Sequence, residues 1–133
     1  MATEPLPVDD RPASVGAEIS TMIVQALHEY SGRGPTKAHT TIGRNTVHCV
    51  LGDTLTKAEQ TLADAGFEDE VLQGRKRMQE VMRPHLVVEV EKLLQRKVIA
   101  FMSDNHIGPD FAVESFILAP QEGDDGIGSE AAP

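Results

Sequence analysis

Hydrophobic positions in residues 15–31 follow the period of an amphipathic α-helix. Apolar side chains recur every three or four residues, which places them on one helix face: Ile19, Met22, Ile23, Ala26, Leu27 and Tyr30. Gly32 suits the C-terminal end of a helix, and Pro35 prevents the helix from resuming. The pattern therefore predicts a first helix that ends near Ser31.

Residues 37–51 change to a period of two, which predicts a β-hairpin. Val47, Cys49 and Leu51 form the apolar face of its second strand. The turn can centre on Gly43-Arg44 or on Arg44-Asn45. His39 and His48 face each other in the first register and lie diagonally in the second, and both lie on the polar face in either case.

Two helical segments are predicted between residues 55 and 94. Thr56 and Glu59 have the spacing of a capping box, so a short helix, with Leu55, Ala58 and Leu62 as its apolar side chains, is expected to run from there to Gly66. Phe67 is expected to enter the core. Residues 68–94 carry a longer apolar stripe that Pro84 interrupts, which predicts either a kink or two abutting helices.

The last two predicted strands are residues 97–103 and 111–118, with Asp104 in the loop between them. The element order is then α-β-β-α-α-β-β. Two hairpins and three helices predict an α+β fold, a two-layer sandwich with a four-stranded antiparallel sheet and the helices on one face. Only 4% of the residues are aromatic, so the core should be thin, and we expect a homodimer through an edge strand or a helix face.

Much of the net charge of −9 lies near the two ends of the sequence. Residues 1–14 and 122–133 are acidic and rich in Pro, Gly, Ser and Ala, so we expect disordered tails around a single domain over residues 15–121. An acidic chain disfavours nucleic-acid binding. The single Cys49, an acidic N-terminus and the lack of a long apolar run favour a cytoplasmic protein.

A series of short motifs is spread over residues 15–119: Gly32-Arg33-Gly34-Pro35-Thr36-Lys37, Leu55-Thr56-Lys57-Ala58-Glu59, Arg75, Arg96-Lys97-Val98, Ser103-Asp104 and Phe116-Ile117-Leu118. This series resembles the MpsC family, part of a sodium-translocating system that generates membrane potential. This chain departs from the family pattern at Gln95, where a glycine is expected at the end of the long helix.

The resemblance implies an accessory or regulatory component linked to sodium flux and inorganic-carbon uptake. It implies no cofactor and no established catalytic residue. We therefore expect a non-enzymatic module that binds a protein partner, such as a subunit of a membrane transporter. Peripheral contact with a membrane is compatible with this role, because Arg75-Lys76-Arg77 and Arg83 form a basic run that suits acidic lipids or an acidic partner.

Two other functions have candidate residues. Arg33, Gly34 and Lys37 could form a small-anion site for bicarbonate or phosphate, although Arg33 is as well suited to bond the last carbonyls of the first helix. His39 and His48 could bind a metal ion, and a metal-dependent enzyme would draw on this pair together with the acids of the loop at Asp104. Glu59 could act as a general base, but its capping-box position favours a structural role.

Overall fold

The computed structural model describes residues 14–124, and its element order is the predicted one. It contains α1 (Val15–Ser31), β1 (Lys37–Ile42), β2 (Thr46–Gly52), α2 (Lys57–Asp64), α3 (Glu68–Leu94), β3 (Val98–His106) and β4 (Phe111–Leu118). The predicted α+β class is confirmed. The disordered tails predicted from the sequence lie for the most part outside the described residues.

The four strands form one antiparallel sheet in the order β1-β2-β4-β3. Each predicted hairpin forms, and the two hairpins join where β2 pairs with β4. β1 and β3 are therefore the edge strands of the sheet. The helices make the second layer, in which α1 and α3 contact the sheet and α2 packs against α3.

The turn of the first hairpin centres on Arg44-Asn45, the second of the two registers that the sequence allows. Gly43 donates its backbone N–H to the carbonyl oxygen of Thr46 at 2.9 Å. His48 consequently pairs with Thr41 across the strands, so that His39 and His48 are diagonal neighbours.

The core lies between the sheet and the two longer helices. Alternate residues of β2 and β4 are buried against apolar side chains of α1 and α3. This agrees with the period of two in the strand sequences and the period of about 3.6 in the helix sequences. Phe101 and Phe116 contribute a tilted ring pair with centroids 5.0 Å apart. The fully buried apolar side chains are Ile19, Ile23, Val47, Cys49, Leu51, Met82, Leu86, Val90 and Phe116.

The prediction that Phe67 enters the core is wrong. Phe67 is 49% exposed and precedes α3 as its N-cap residue. Ala58 and Leu62 of α2 are also exposed, and Ala63 is buried in their place. The reason is that α2 packs mainly on α3, so only a narrow strip of this short helix is covered.

Residues 68–94 form one helix, so the alternative of two abutting helices is wrong. Pro84 lies within α3 on its exposed side. Met82 and Leu86 on either side of it are fully buried. Burial of these flanking side chains holds the helix together across the position where Pro84 cannot donate a hydrogen bond.

Asp104 is not in a loop, in contrast to the sequence prediction. β3 continues to His106, and the connection to β4 shrinks to residues 107–110, with a cis bond between Gly108 and Pro109. In the last part of β3, Ser103 and Asn105 point toward α3, whereas Asp104 is exposed on the opposite face. Both faces of this segment carry polar side chains, so the sequence has no alternation of apolar and polar residues there from which a strand could be predicted.

Gln95 ends α3 in the left-handed region, with a φ of 55°. The sequence resemblance leads us to expect glycine at this position. A side chain with a Cβ atom is strained in this conformation, whereas glycine is not. The Gln95 side chain offsets part of the strain by donating to the carbonyl oxygen of Lys92 at 2.9 Å.

We predict that Gln95→Gly raises the free energy of unfolding by about 1 kcal/mol, because it removes the left-handed strain. The matched control is Gln73→Gly, the same change at an exposed position within α3, which should lower that free energy by about 1 kcal/mol. Urea unfolding followed by circular dichroism measures both. If both variants are destabilised to the same extent, Gln95 is not a strained cap.

Candidate functional site

A cavity of about 230 Å³ lies between the C-terminal half of α1, the middle of α3 and β4. One side of it is apolar and the other carries charged and hydrogen-bonding groups. The apolar lining is Leu27, Pro35, Met78, Met82 and Ala112, and the polar lining includes Arg33, Thr54, Glu59, Arg75, Gln79 and Glu114. Four residues of the motifs that carry the family resemblance therefore line the same cavity: Arg33, Pro35, Glu59 and Arg75.

Arg75 uses its whole guanidinium group in bonds to the protein. It bonds both carboxylate oxygens of Glu59, at 3.1 and 3.0 Å, which makes a two-point ion pair between α3 and α2. Its remaining donors reach the hydroxyl and the carbonyl oxygen of Thr54 and the amide oxygen of Asn105. Arg75 thus joins α3 to α2, to the segment before α2, and to β3.

Glu59 has two structural roles. The predicted capping box is confirmed: Thr56 accepts from the Glu59 N–H at 3.0 Å, and Glu59 accepts from the Thr56 N–H at 2.9 Å. The same carboxylate binds Arg75. The sequence pattern identified the cap but not the ion pair, because the partner lies on a different helix.

A chain of amide side chains continues from Arg75 into the protein. Asn105 and Gln79 exchange hydrogen bonds, with the Asn105 amide donating to the Gln79 oxygen at 3.1 Å. Gln79 then donates to the carboxylate of Glu114 at 3.2 Å, and Ser103 donates to the other oxygen of that carboxylate. The chain therefore runs without interruption from α2 to β4.

Glu114 also belongs to a row of polar side chains that crosses the sheet on its helix-facing side. The strand registers align Thr40, Cys49, Glu114 and Ser103 on β1, β2, β4 and β3 respectively. At the β1 end, Ser20 of α1 lies within hydrogen-bonding distance of Thr40, 2.7 Å between the hydroxyl oxygens. The row connects the two helices that cover the sheet.

Burial changes the acidity of two members of this row. Glu114 has no exposed surface, and burial raises its pKa to about 7 even though Ser103, Gln79 and Arg75 favour the charged form. Burial likewise raises the pKa of the Cys49 thiol to about 11, which leaves it protonated near neutral pH. Cys49 is thus a packing residue, as the sequence indicated.

Arg33 does not bond the last carbonyls of α1, so that part of the prediction is wrong. Ser31 and Gly32 bond those carbonyls instead. Arg33 forms an ion pair of 2.6 Å with Asp53, the residue that follows β2. A hydrogen bond from Thr36 and the contact with Arg33 lower the pKa of Asp53. Arg33 therefore ties the loop after α1 to the connection before α2.

The two neighbours of Arg33 in the predicted anion site have different surroundings. Gly34 lies close to α1, where an added Cβ atom would lie 3.4–3.5 Å from atoms of Val24 and His28. Lys37 is exposed at the start of β1, and its charge also favours the ionised form of Asp53. The positive charges of this loop thus act on a carboxylate of the protein itself.

The remaining candidates, His39, His48 and Asp104, lie on the opposite face of the sheet, away from the cavity. The ring Nδ1 of His48 is 2.7 Å from the Ser115 hydroxyl oxygen. Within residues 14–124, no three or more His, Cys, Asp and Glu side chains form a group able to hold a metal ion. The structure therefore supplies His39 and His48 with no third ligand of these types from that range.

The predicted basic run does not form a single surface. Arg75 points inward, whereas Lys76 and Arg77 are exposed. Arg83 donates to the carbonyl oxygen of Phe101 at 3.1 Å and lies 5.7 Å from the centre of its ring. Consecutive residues of a helix point in different directions, which separates charges that adjoin in the sequence.

Three polar residues of the site were not selected from the sequence: Thr54, Gln79 and Glu114. Glu114 had a usable signal, because it occupies an inward position between Ala112 and Phe116 in a strand whose inward positions are otherwise apolar. Gln79 similarly lies among the buried positions of α3. Thr54 gave no such signal, because its role depends on its contact with Arg75.

Comparison with protein families decides the relationship that the motifs suggest. Residues 13–120 match the family described as Na+-translocating membrane potential-generating system (MpsC). The chain belongs to the MpsC family. No match was found among curated proteins or among solved structures. Within the part of the MpsC domain that the structure describes, no helix is both long enough and apolar enough to cross a bilayer.

We predict that Glu114 makes stability depend on pH. Because its pKa is about 7 in the folded protein and about 4.5 in the unfolded chain, the folded state binds more protons between these values. The free energy of unfolding should therefore fall as pH rises from about 4.5 to 7, by about 3 kcal/mol, and then level off. The measurement is urea unfolding at a series of pH values.

This pH dependence should disappear in Glu114→Gln. The free energy of unfolding of the variant should therefore rise relative to that of the unmodified protein as pH increases, and should exceed it at pH 8. Asp104→Asn removes an exposed carboxylate from the other face of the sheet and should leave the pH profile unchanged. An identical pH profile for Glu114→Gln and the unmodified protein would contradict the prediction.

Proposed function

We propose that the protein is a non-enzymatic accessory module of a sodium-translocating, membrane-potential-generating system and that it acts by binding another protein of that system. Membership of the MpsC family supports the link to such a system. The polar groups around the cavity support a structural rather than a catalytic role for the conspicuous residues. Arg75 and Glu59 bond each other and the backbone, and Arg33 binds Asp53.

The observation that carries a binding role is the sheet face opposite the helices, here called the outer sheet face. Val50, Met102 and Phe111 lie on it and are 39%, 52% and 47% exposed. The strand registers place these side chains around half-buried Val113 and Ile117. An exposed sheet face usually carries polar side chains, and a group of large apolar ones indicates a surface that another molecule covers.

His48, His106 and Asp104 border this apolar group and complete the outer sheet face. Protein interfaces commonly combine an apolar centre with a polar rim, and this face has that composition. We therefore propose that a soluble surface of a transport-system subunit covers the outer sheet face.

The homodimer expected from the sequence remains a separate proposal. β1 and β3 are the edge strands, and β3 is the longer of the two, with Ile99 56% exposed. Pairing of β3 with β3 of a second copy would extend the sheet and would leave the outer sheet face available to the partner. Sedimentation of the purified chain gives the number of copies.

The alternative functions receive less support. An inorganic-anion sensor built on Arg33 and Lys37 requires the two side chains to converge on one anion, whereas Arg33 lines the cavity and Lys37 is exposed at the start of β1, outside the cavity lining. A metal-dependent enzyme requires more ligands of the usual types than the pair His39 and His48 receives from residues 14–124.

We predict that the double variant Val50→Lys, Met102→Lys lowers recovery of the partner by about tenfold or more, because two buried ammonium groups disrupt an apolar interface. The full chain carries an affinity tag in cells that express a sodium-translocating system of this kind. Quantitative mass spectrometry of the solubilised membrane fraction measures co-purified subunits of that system.

The matched control is Val81→Lys, which introduces the same group at a 63% exposed position on α3. It should leave recovery of the subunits unchanged. Failure of the unmodified protein to recover any subunit of the system, or equal loss in the control, would overturn the proposed function.

A further inference from the structure

We propose that the cavity between α1, α3 and β4 binds a short-chain monocarboxylate, whose carboxylate pairs with Arg33 and whose hydrocarbon chain lies along Met78 and Met82. This inference concerns a different surface from the outer sheet face and does not depend on the proposed function. It rests on the size of the cavity, on its two kinds of lining, on the donors of Arg33 and on Gly74.

The volume suits a ligand of modest size. The cavity measures about 230 Å³, whereas a cavity of about 150 Å³ is enough to bind benzene. A chain of about six carbons with a carboxylate group is therefore of suitable size. Bicarbonate or phosphate would leave the apolar part of the cavity unfilled.

The apolar side of the cavity suits a hydrocarbon chain. Leu27, Pro35 and Ala112 line it together with Met78 and Met82. Methionine side chains are unbranched and polarizable, so they adapt to chains of different shape. Polar groups lie together on the other side, and this division favours an amphipathic ligand over a wholly polar one.

The hydrogen-bonding groups determine the sign of the ligand's charge. Arg33 bonds Asp53 through Nη2, while its Nε is buried and has no acceptor among the described residues. The carboxylates of Asp53 and Glu59 are already engaged by arginine side chains. The Arg33 side chain lines the cavity and is 37% exposed, so its guanidinium group can donate hydrogen bonds to a carboxylate but not to an ammonium group.

Glu114 does not oppose an anion strongly. It has no exposed surface, and Gln79 and Ser103 bond its oxygens. Burial raises its pKa to about 7, which reduces its negative charge near neutral pH. The positive charge of Arg75 also acts on Glu114 and offsets part of the charge that remains.

Gly74 provides the entrance. It lies on the exposed side of α3 in the cavity lining, and a Cβ atom added there would meet no atom within 4 Å. Glycine inside a helix is unfavourable, and packing does not require it at this position. The open space at Gly74 is therefore where a ligand can enter and where a larger side chain would obstruct it.

The experiment is isothermal titration calorimetry on the full chain with three probes of equal length: hexanoate, hexanol and hexylammonium. We expect hexanoate to bind one site and to exceed the other two by about tenfold or more in affinity, because only the carboxylate satisfies Arg33. Bicarbonate and phosphate should give no heat at millimolar concentration. Equal affinity for the three head groups, or no binding of hexanoate, would overturn the proposal.

Two variants locate the site. Gly74→Met should weaken hexanoate binding by about tenfold or more without lowering the melting temperature, because methionine is a better helix former than glycine. Arg33→Gln should reduce hexanoate to the affinity of hexanol, and Arg83→Gln is the matched control outside the cavity. Unchanged binding in Gly74→Met would place the ligand elsewhere and overturn the proposal, even if Arg33→Gln failed to fold.

Discussion

The fold depends on the guanidinium group of Arg75. Its five N–H donors meet acceptors on α2, on the segment before α2, and on β3. These elements need such a tie, because β3 is an edge strand and α2 packs mainly on α3. The Arg75 side chain is only 13% exposed, so water screens these bonds little. Apolar side chains of α1, α3 and the sheet form the core, and the hydrogen bonds of Arg75 join α2 and β3 to α3.

This constraint separates the residues that hold the molecule together from the surfaces that recognise other molecules. Arg75 forms an ion pair with Glu59, and the amide side chains that follow it form hydrogen bonds as far as Glu114. Arg33 forms an ion pair with Asp53. The conspicuous charges of the MpsC motifs thus act first on the protein itself. We propose that recognition of other molecules falls to the outer sheet face and to the cavity, whose apolar residues, apart from Pro35, do not belong to the charged sequence motifs.

Local patterns could predict much of the fold and little of the site. The stripe of α1, the first hairpin and the capping box at Glu59 depend on residues close in sequence, and each was predicted correctly except that Tyr30, at the end of the stripe, is exposed. The bond between Arg75 and Asn105 joins residues that are 30 positions apart, so no local pattern contains it. Asp104 was misplaced because both faces of its strand are polar there. Phe67 was misplaced because its hydrophobicity alone does not show whether the junction between α2 and α3 faces the core or the solvent.

A double-mutant cycle between Arg75 and Asn105 measures how strongly their hydrogen bond stabilises the fold, with unfolding free energies from urea denaturation of Arg75→Ala, Asn105→Ala and the double variant. We predict a coupling free energy of about 1–3 kcal/mol, since the bond joins α3 to an edge strand through a poorly exposed guanidinium. The pair Arg83 and Asn105, which share no contact in the described structure, should be additive within about 0.5 kcal/mol. Additivity of Arg75 and Asn105 would show that their hydrogen bond does not hold β3 against α3, and Arg75 would then not be the constraint on which the fold depends.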